Sequence, residues 1–316
     1  MKKFFKQVAL MAALTVMLVG CGNKASEQNP EITPETSATT EVKDLGTLRI
    51  GVMSAADSAP ILLAQENGYF EELGLTVDLE IFTNGATKQS SIQAGELDGA
   101  MVSMIQFLNN KAAGLDAVMT TSTDGMFPIV LSPSFEEKQD VKVGLMEVSV
   151  VNYLADQYLT DYNVEKVFIN EMPVRMQMLM AGELDMAVLP EPMASTAQLK
   201  GLEKRTYGNP DDFTPNAMIF TNEIISSNEA AVAAFHEAYN KAVEEIVANE
   251  EVAKDILIKK LELDEKVKDL MVLPTYHTTR IPTEDFVGDV RLWTETLQGK
   301  PLAVNYDELV TEAFVK

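Results

Sequence analysis

Four carboxylates stand where an apolar run gives way to a polar turn: Asp57, Asp124, Glu147 and Glu191. A carboxylate only accepts hydrogen bonds, so at such turns it suits amino groups or ring N–H better than anions. Around them lie small donors and residues that expose backbone, namely Ser58, Asn84, Gly85, Ser103, Gln106 and Ser149. Phe82, with Phe107 and Phe127, offers flat faces on which a ring could stack. Together these residues suit a small neutral or cationic heterocycle. Two plainer readings stay open: Asp57, Ser58, Ser103 and Ser149 also make good helix N-caps, and each Phe also suits core packing. Lys88 and Arg175 are the cations near these turns, both on helices where a solvated face fits at least as well, so an anion site is less well supplied.

Covalent and metal chemistry find little support. Cys21 is the only cysteine, which leaves no disulfide, thiol nucleophile or thiolate metal site in the rest of the chain. His236 and His277 are far apart in sequence. His236 reads as a packing or surface residue of a long helix, and His277 could approach the site. No Ser-His-Asp spacing, phosphate loop or zinc signature occurs. The methionines 172, 176, 178, 180, 186 and 193 could be read as a soft-metal site, but at helical and strand spacing they suit pliable core better. No metal and no cofactor are expected. Asp plus Glu number 48 against 25 Lys plus Arg, a formal net charge of −23. That surface disfavours nucleic acid and anionic headgroups.

The elements that must position these residues alternate. Strands are expected at 47–53, 75–82, 99–102, 117–121, 141–145, 166–169 and 186–189, with helices at 86–94, 150–159 and 174–181 between them. Such alternation predicts an α/β fold with mostly parallel sheets and helices on both faces. Helical spacing then takes over at 228–250, 252–261, 284–297 and 306–314, a helical C-terminal tail. In open α/β sheets ligands sit beyond the carboxyl ends of strands, which is where the candidate residues fall. One pentapeptide occurs twice: Ala94-Gly95-Glu96-Leu97-Asp98 and Ala181-Gly182-Glu183-Leu184-Asp185. Each copy follows a helix and precedes an apolar strand, so each reads as a glycine helix stop and an Asp turn. Two copies suggest two lobes on one plan.

The N-terminus has Lys2, Lys3 and Lys6, an apolar run from Val8 to Val19, and then Gly20-Cys21. A basic head and a short apolar core are parts of a secretory signal, and the run is too short to span a bilayer, which takes about 20 residues. The pattern resembles the lipobox of bacterial lipoproteins, which implies cleavage after residue 20 and a lipid on Cys21. Residues 21–44 are polar and read as a disordered tether.

Beyond that point Ala59-Pro60-Ile61, Ala64-Gln65-Glu66-Asn67-Gly68-Tyr69-Phe70, Gly74-Leu75-Thr76-Val77-Asp78, the two pentapeptides and Leu189-Pro190-Glu191-Pro192 follow in order. This resembles the substrate-binding proteins of ABC importers, in the branch for nitrate, aliphatic sulfonates, taurine and thiamine precursors. The resemblance covers 45–221 well and the tail loosely. It implies a two-lobed periplasmic-binding-protein type II-like fold that closes by a hinge on a small-molecule ligand. Residues 45–125 and 222–316 would form the first lobe and 126–221 the second, with crossings near 121–132 and 218–221. It further implies a lipid-anchored, extracytoplasmic monomer that serves an ABC permease and ATPase and binds no nucleic acid. The alternatives are a sulfonate, taurine or nitrate receptor, or a sensor without a permease. Eukaryotic relatives include pyrimidine synthases that use a cysteine-rich motif, which no cysteine after Cys21 can supply here, so an enzyme is not expected.

Overall fold

The computed structural model describes residues 43–315, which form one compact unit. Cys21, the signal segment and most of the tether lie outside the described residues.

Strand β1 (Thr47–Met53) is followed by helices α1 (Ala59–Glu66) and α2 (Tyr69–Glu72), then β2 (Thr76–Phe82) and α3 (Gly85–Gln93). Next come β3 (Gly99–Ser103), α4 (Met104–Ala112) and β4 (Ala117–Ser122). The chain crosses into a second sheet with β5 (Ile129–Leu131), β6 (Asp140–Leu145), α5 (Val150–Tyr158), β7 (Asn163–Phe168), α6 (Met172–Met180), β8 (Met186–Val188), α7 (Met193–Leu199) and β9 (Glu203–Arg205). It returns as β10 (Asn216–Thr221) and ends in α8 (Asn222–Ser227), α9 (Glu229–Ala248), α10 (Glu251–Lys260), α11 (Glu284–Gln298) and α12 (Tyr306–Leu309).

The sheets run β2-β1-β3-β10-β4 and β7-β6-β8-β5-β9. In each, four strands run one way and one, β10 or β5, runs against them between two antiparallel neighbours. The sheets are therefore mixed. Strand β10 pairs with β3 and β4 of the first sheet, so the second crossing occupies 206–215 rather than 218–221, and the second lobe ends earlier than its expected limit at 221. The crossings run side by side: Thr214 Oγ1 donates to the Thr123 carbonyl (3.1 Å) and accepts from Gly125 N (3.0 Å).

The repeated pentapeptide does the same job in both lobes. Gly95 and Gly182 end α3 and α6 in the left-handed region, at φ 73° and 74°. Glu96 N and Glu183 N close the helix ends on the carbonyls of Ser91 and Met178, 3.0 Å each. The Asp carboxylates accept from Arg49 N and Lys142 N, 2.8 Å each, and so pin the starts of β1 and β6. Leu97 packs on Gly51 and Leu184 on Gly144, where any Cβ would meet the leucine methyl.

Helices of the tail complete the first lobe. Phe235 of α9 stacks on Phe70 and meets Phe220 edge-on, both at 5.3 Å. The helix expected over 306–314 ends at Leu309, because Val310 leaves it to bridge Met119 of β4. Among the described residues no helix is long and apolar enough to cross a membrane.

Candidate binding cleft

The carboxyl ends of the parallel strands of both sheets face a cleft with about 690 Å³ of empty space. The first lobe lines it with Met53, Ala55, Asp57, Gly85, Lys88, Met101, Ser103, Gln106 and Asn216. The second lobe and the first crossing add Phe127, Met146, Ser149, Val150, Val151, Asn170, Met172, Arg175 and Pro190. Most of this wall is apolar, and four of its side chains are methionines.

Of the eleven candidate residues, Asp57, Gly85, Ser103, Gln106 and Ser149 line the cleft. Asp57 is buried; its Oδ2 accepts from Asn216 Nδ2 (3.1 Å) and its Oδ1 has no partner. Burial pushes its carboxyl up to about 6, against the attraction of Lys88. Burial likewise lowers Lys88 to about 8, opposed by Asp57. The Ser103 hydroxyl, also buried, has no partner. The capping alternative does not account for these residues, since the side chains of Ser58, Ser103 and Ser149 make no cap bond. Ser149 Oγ instead donates to the Met146 carbonyl (2.5 Å).

The other six stand outside the lining. Ser58 Oγ donates to the Ala55 carbonyl (2.7 Å), and Phe82 packs in the first lobe's core. Asn84 sits at the rim: its Oδ1 caps α3 and its Nδ2 donates to Glu171 at the start of α6, across the cleft mouth. Glu147 is exposed. Asp124, in the first crossing, accepts from Arg280 Nη2 (2.5 Å) and from His277 N (2.9 Å), and its Oδ1 lies 3.3 Å from His277 Nδ1. His277 is thus held at the hinge and does not line the cleft. Glu191 pairs with Lys204 (2.6 Å) and accepts from Ser195 N (3.1 Å) and Val272 N (3.3 Å). Among the three phenylalanines only Phe127 reaches the cleft, and Phe107 is core. His236 lies buried among the rings of Phe220, Phe235 and Phe314.

The main surprise is the cations. Lys88 and Arg175, for which a solvated face fitted at least as well as a place near the cleft, are each 3% exposed and face the cleft. Burial lowers the Arg175 guanidinium to about 10, opposed by Glu171. Its Nη1 donates to the Val188 carbonyl (3.2 Å), while its Nε has no partner. Helical spacing held a signal for both: Lys88 stands four residues before buried Ile92, and Arg175 lies in the buried stripe Met172, Arg175, Met176, Leu179.

The sequence model described as NMT1/THI5 like matches residues 55–253. A 60-residue stretch is 40% identical to the nitrate import ATP-binding protein NrtC of Synechococcus elongatus, covering 19% of this chain and 9% of that protein. A Brucella abortus protein described as a binding protein is 25% identical over 218 residues, which is 64% of this chain and 67% of that one. Among solved structures, the ligand-binding component of an ABC-type import system from Staphylococcus aureus, with zinc bound, superposes with a TM-score of 0.70 at 15% identity, covering 85% of this chain and 97% of that one. The aliphatic sulphonate binding protein of Escherichia coli gives 0.65 at 17%, covering 84% and 92%. At these identities the likeness is one of fold, the two-lobed fold of periplasmic binding proteins.

Proposed function

Because the chain belongs to the NMT1/THI5-like family, we propose that it is an extracytoplasmic solute-binding lipoprotein that hands a small organic solute to an ABC importer. The observation that carries this reading is the cleft itself. It lies between two lobes, its walls are mainly apolar, and Asp57 Oδ1, Ser103 Oγ and Arg175 Nε are buried in it without partners. Such a site gains by taking a ligand that satisfies those atoms. The structural neighbours are ligand-binding components of importers, which supports reading the protein as a binder rather than an enzyme.

Asp57 and Phe127 favour a thiamine-precursor-like heterocycle whose N–H meets the carboxylate and whose ring lies on the phenyl face. Lys88 and Arg175 favour a second reading, an organic sulfonate. Nitrate fits poorly, because four atoms leave the methionine walls uncovered.

The lipid on Cys21 and the tether would keep this solute trap within reach of a permease as a monomer. A thermal-shift screen of the purified protein against pyrimidines, sulfonates, taurine, nitrate and riboflavin tests the reading. Stabilisation without turnover is expected, and turnover of any binder overturns it. Cys21→Ser should move the protein out of the membrane fraction; retention there would sink the anchor.

A further inference from the structure

We infer that helix α11 is a latch between the lobes: Trp293, carried by the first lobe, docks on α5 of the second and holds the cleft shut from outside it. The inference concerns closure, and it rests on the reading of the chain as a two-lobed solute trap.

Helix α11 has two stripes of residues side by side, each with helical spacing. Val287, Val290 and Thr294 are buried, the valines in the first lobe's core with Ile105 and Leu108 of α4. The neighbouring stripe is Phe286, Asp289 and Trp293. Phe286 meets Phe213 of the second crossing at 5.5 Å between ring centroids. Arg280, just before the helix, covers Phe213 at 4.1 Å and also holds Asp124 of the first crossing. The start of α11 is thus fixed at the hinge. Trp293 stands two turns further on, about 10 Å from Phe286 along the axis.

There it meets the second lobe. Trp293 Nε1 donates to Asp156 Oδ2 (3.0 Å), and its ring stands edge-on to Tyr153 with centroids 5.4 Å apart. Lys166 of β7 pairs with Asp156 (2.6 Å) and lies 5.9 Å from the indole centroid, so it holds the carboxylate in reach. Burial and the charge of Asp289 raise the Tyr153 hydroxyl above its ordinary range, which marks the same approach of α11 to α5.

This contact differs from core packing in two ways. The lobes are joined through the crossings, so a contact two turns away from them must part when the lobes rotate open. It is also polar and half-exposed, so water can replace it on opening, as at other interfaces between mobile domains. Its place on α5 gives it leverage. Ser149, Val150 and Val151 at the start of that helix line the cleft, while Trp293 does not. A latch outside the cleft raises the closed fraction and so scales the affinity for every solute by one factor, leaving the choice among solutes to the lining.

The test uses the unliganded protein. Trp293 is the only tryptophan, so indole emission reports on this contact alone. Acrylamide quenching and X-ray scattering should be measured for the parent, Asp156→Ala, Trp293→Phe and Leu292→Ser. Asp156→Ala should lower the closed-to-open ratio about five-fold, seen as red-shifted, more readily quenched emission together with a larger radius of gyration. Trp293→Phe, read by scattering alone, should also expand the molecule. Asp156 is exposed and alanine suits a helix, so cooperative melting should persist. Leu292→Ser, on the exposed side of the same turn, should behave as the parent. Unchanged scattering in Asp156→Ala and Trp293→Phe, or equal expansion in Leu292→Ser, overturns the latch. Neither readout involves a solute, so that failure leaves the receptor reading standing, and a screen without binders leaves the latch standing.

Discussion

Lys204 Nζ lies 2.6 Å from Glu191 Oε1, with the lysine side chain 5% exposed and the glutamate fully buried. The same ammonium donates to Ser195 Oγ (2.8 Å) and to the Leu270 carbonyl (2.6 Å), so the pair joins the second lobe to the tail. Breaking one member of such a pair strands a buried charge. Glu191→Gln or Lys204→Met should each lower unfolding free energy by about 3–5 kcal/mol in urea titration. Solute affinity of the folded fraction should not change, because neither side chain lines the cleft.

The pair Asp57 and Lys88 makes the reverse prediction. Both are buried and neither is fully bonded, so replacing them together by Asn and Met should raise stability at pH 7 by about 1–4 kcal/mol while weakening solute binding. The parent has two pH slopes. Asp57, raised to about 6 from 3.8, keeps a proton that the unfolded chain has lost, so stability falls as pH climbs from 3.8 to 6. Lys88, lowered to about 8 from 10.5, has shed a proton the unfolded chain still holds, so stability rises between 8 and 10.5. Urea midpoints measured across pH should show both slopes in the parent and neither in the double variant.

Asn84 performs two tasks that can be separated. Its Oδ1 caps α3, while its Nδ2 reaches Glu171 of the other lobe. Glu171→Ala keeps the cap and removes the second bond, together with the carboxylate that opposes Arg175. Melting temperature should hardly move, but solute should leave about five-fold faster in stopped-flow release, as fits a hydrogen bond of about 1 kcal/mol that forms only when the lobes meet. Asn84→Ala should add a cap loss of about 1 kcal/mol.

Gly51 and Gly144 lie under Leu97 and Leu184, and a Cβ on Gly51 would come within 2.7 Å of a leucine methyl. Gly51→Ala and Gly144→Ala should each lower stability by about 1–3 kcal/mol by thermal unfolding, each through its own lobe. Gly95→Ala adds a left-handed-backbone penalty of about 1 kcal/mol without any clash, since nothing lies near its missing Cβ.

Of the residues chosen at strand ends, Asp57, Gly85, Ser103, Gln106 and Ser149 line the cleft, because the end of a parallel strand that opens on it follows from chain direction alone. The same rule misplaced Asp124 and Glu191. Their tail partners, Arg280 and His277 for Asp124 and the backbone of Val272 for Glu191, lie 81 to 156 residues away, and local pattern carries no trace of them. Lys88 and Arg175 were passed over because a charge on a helix is read as solvated, although each sits in register with buried neighbours. Strands β5 and β9 have three residues each, too few to show alternation. The repeated pentapeptide was legible because its glycine helix stop is local chemistry, whereas its Asp pins reach back 49 and 43 residues to β1 and β6.

Those pins sit at the entry ends of β1 and β6, and the cleft forms beyond their exit ends. The framing contacts of Leu97, Asp98, Leu184 and Asp185 therefore share no atoms with the side chains that line the cleft. Substitutions at Met53, Met146 or Arg175 can redirect what is accepted while the frame that folds each lobe is inherited unchanged. A lineage built this way can diversify its cargo one side chain at a time.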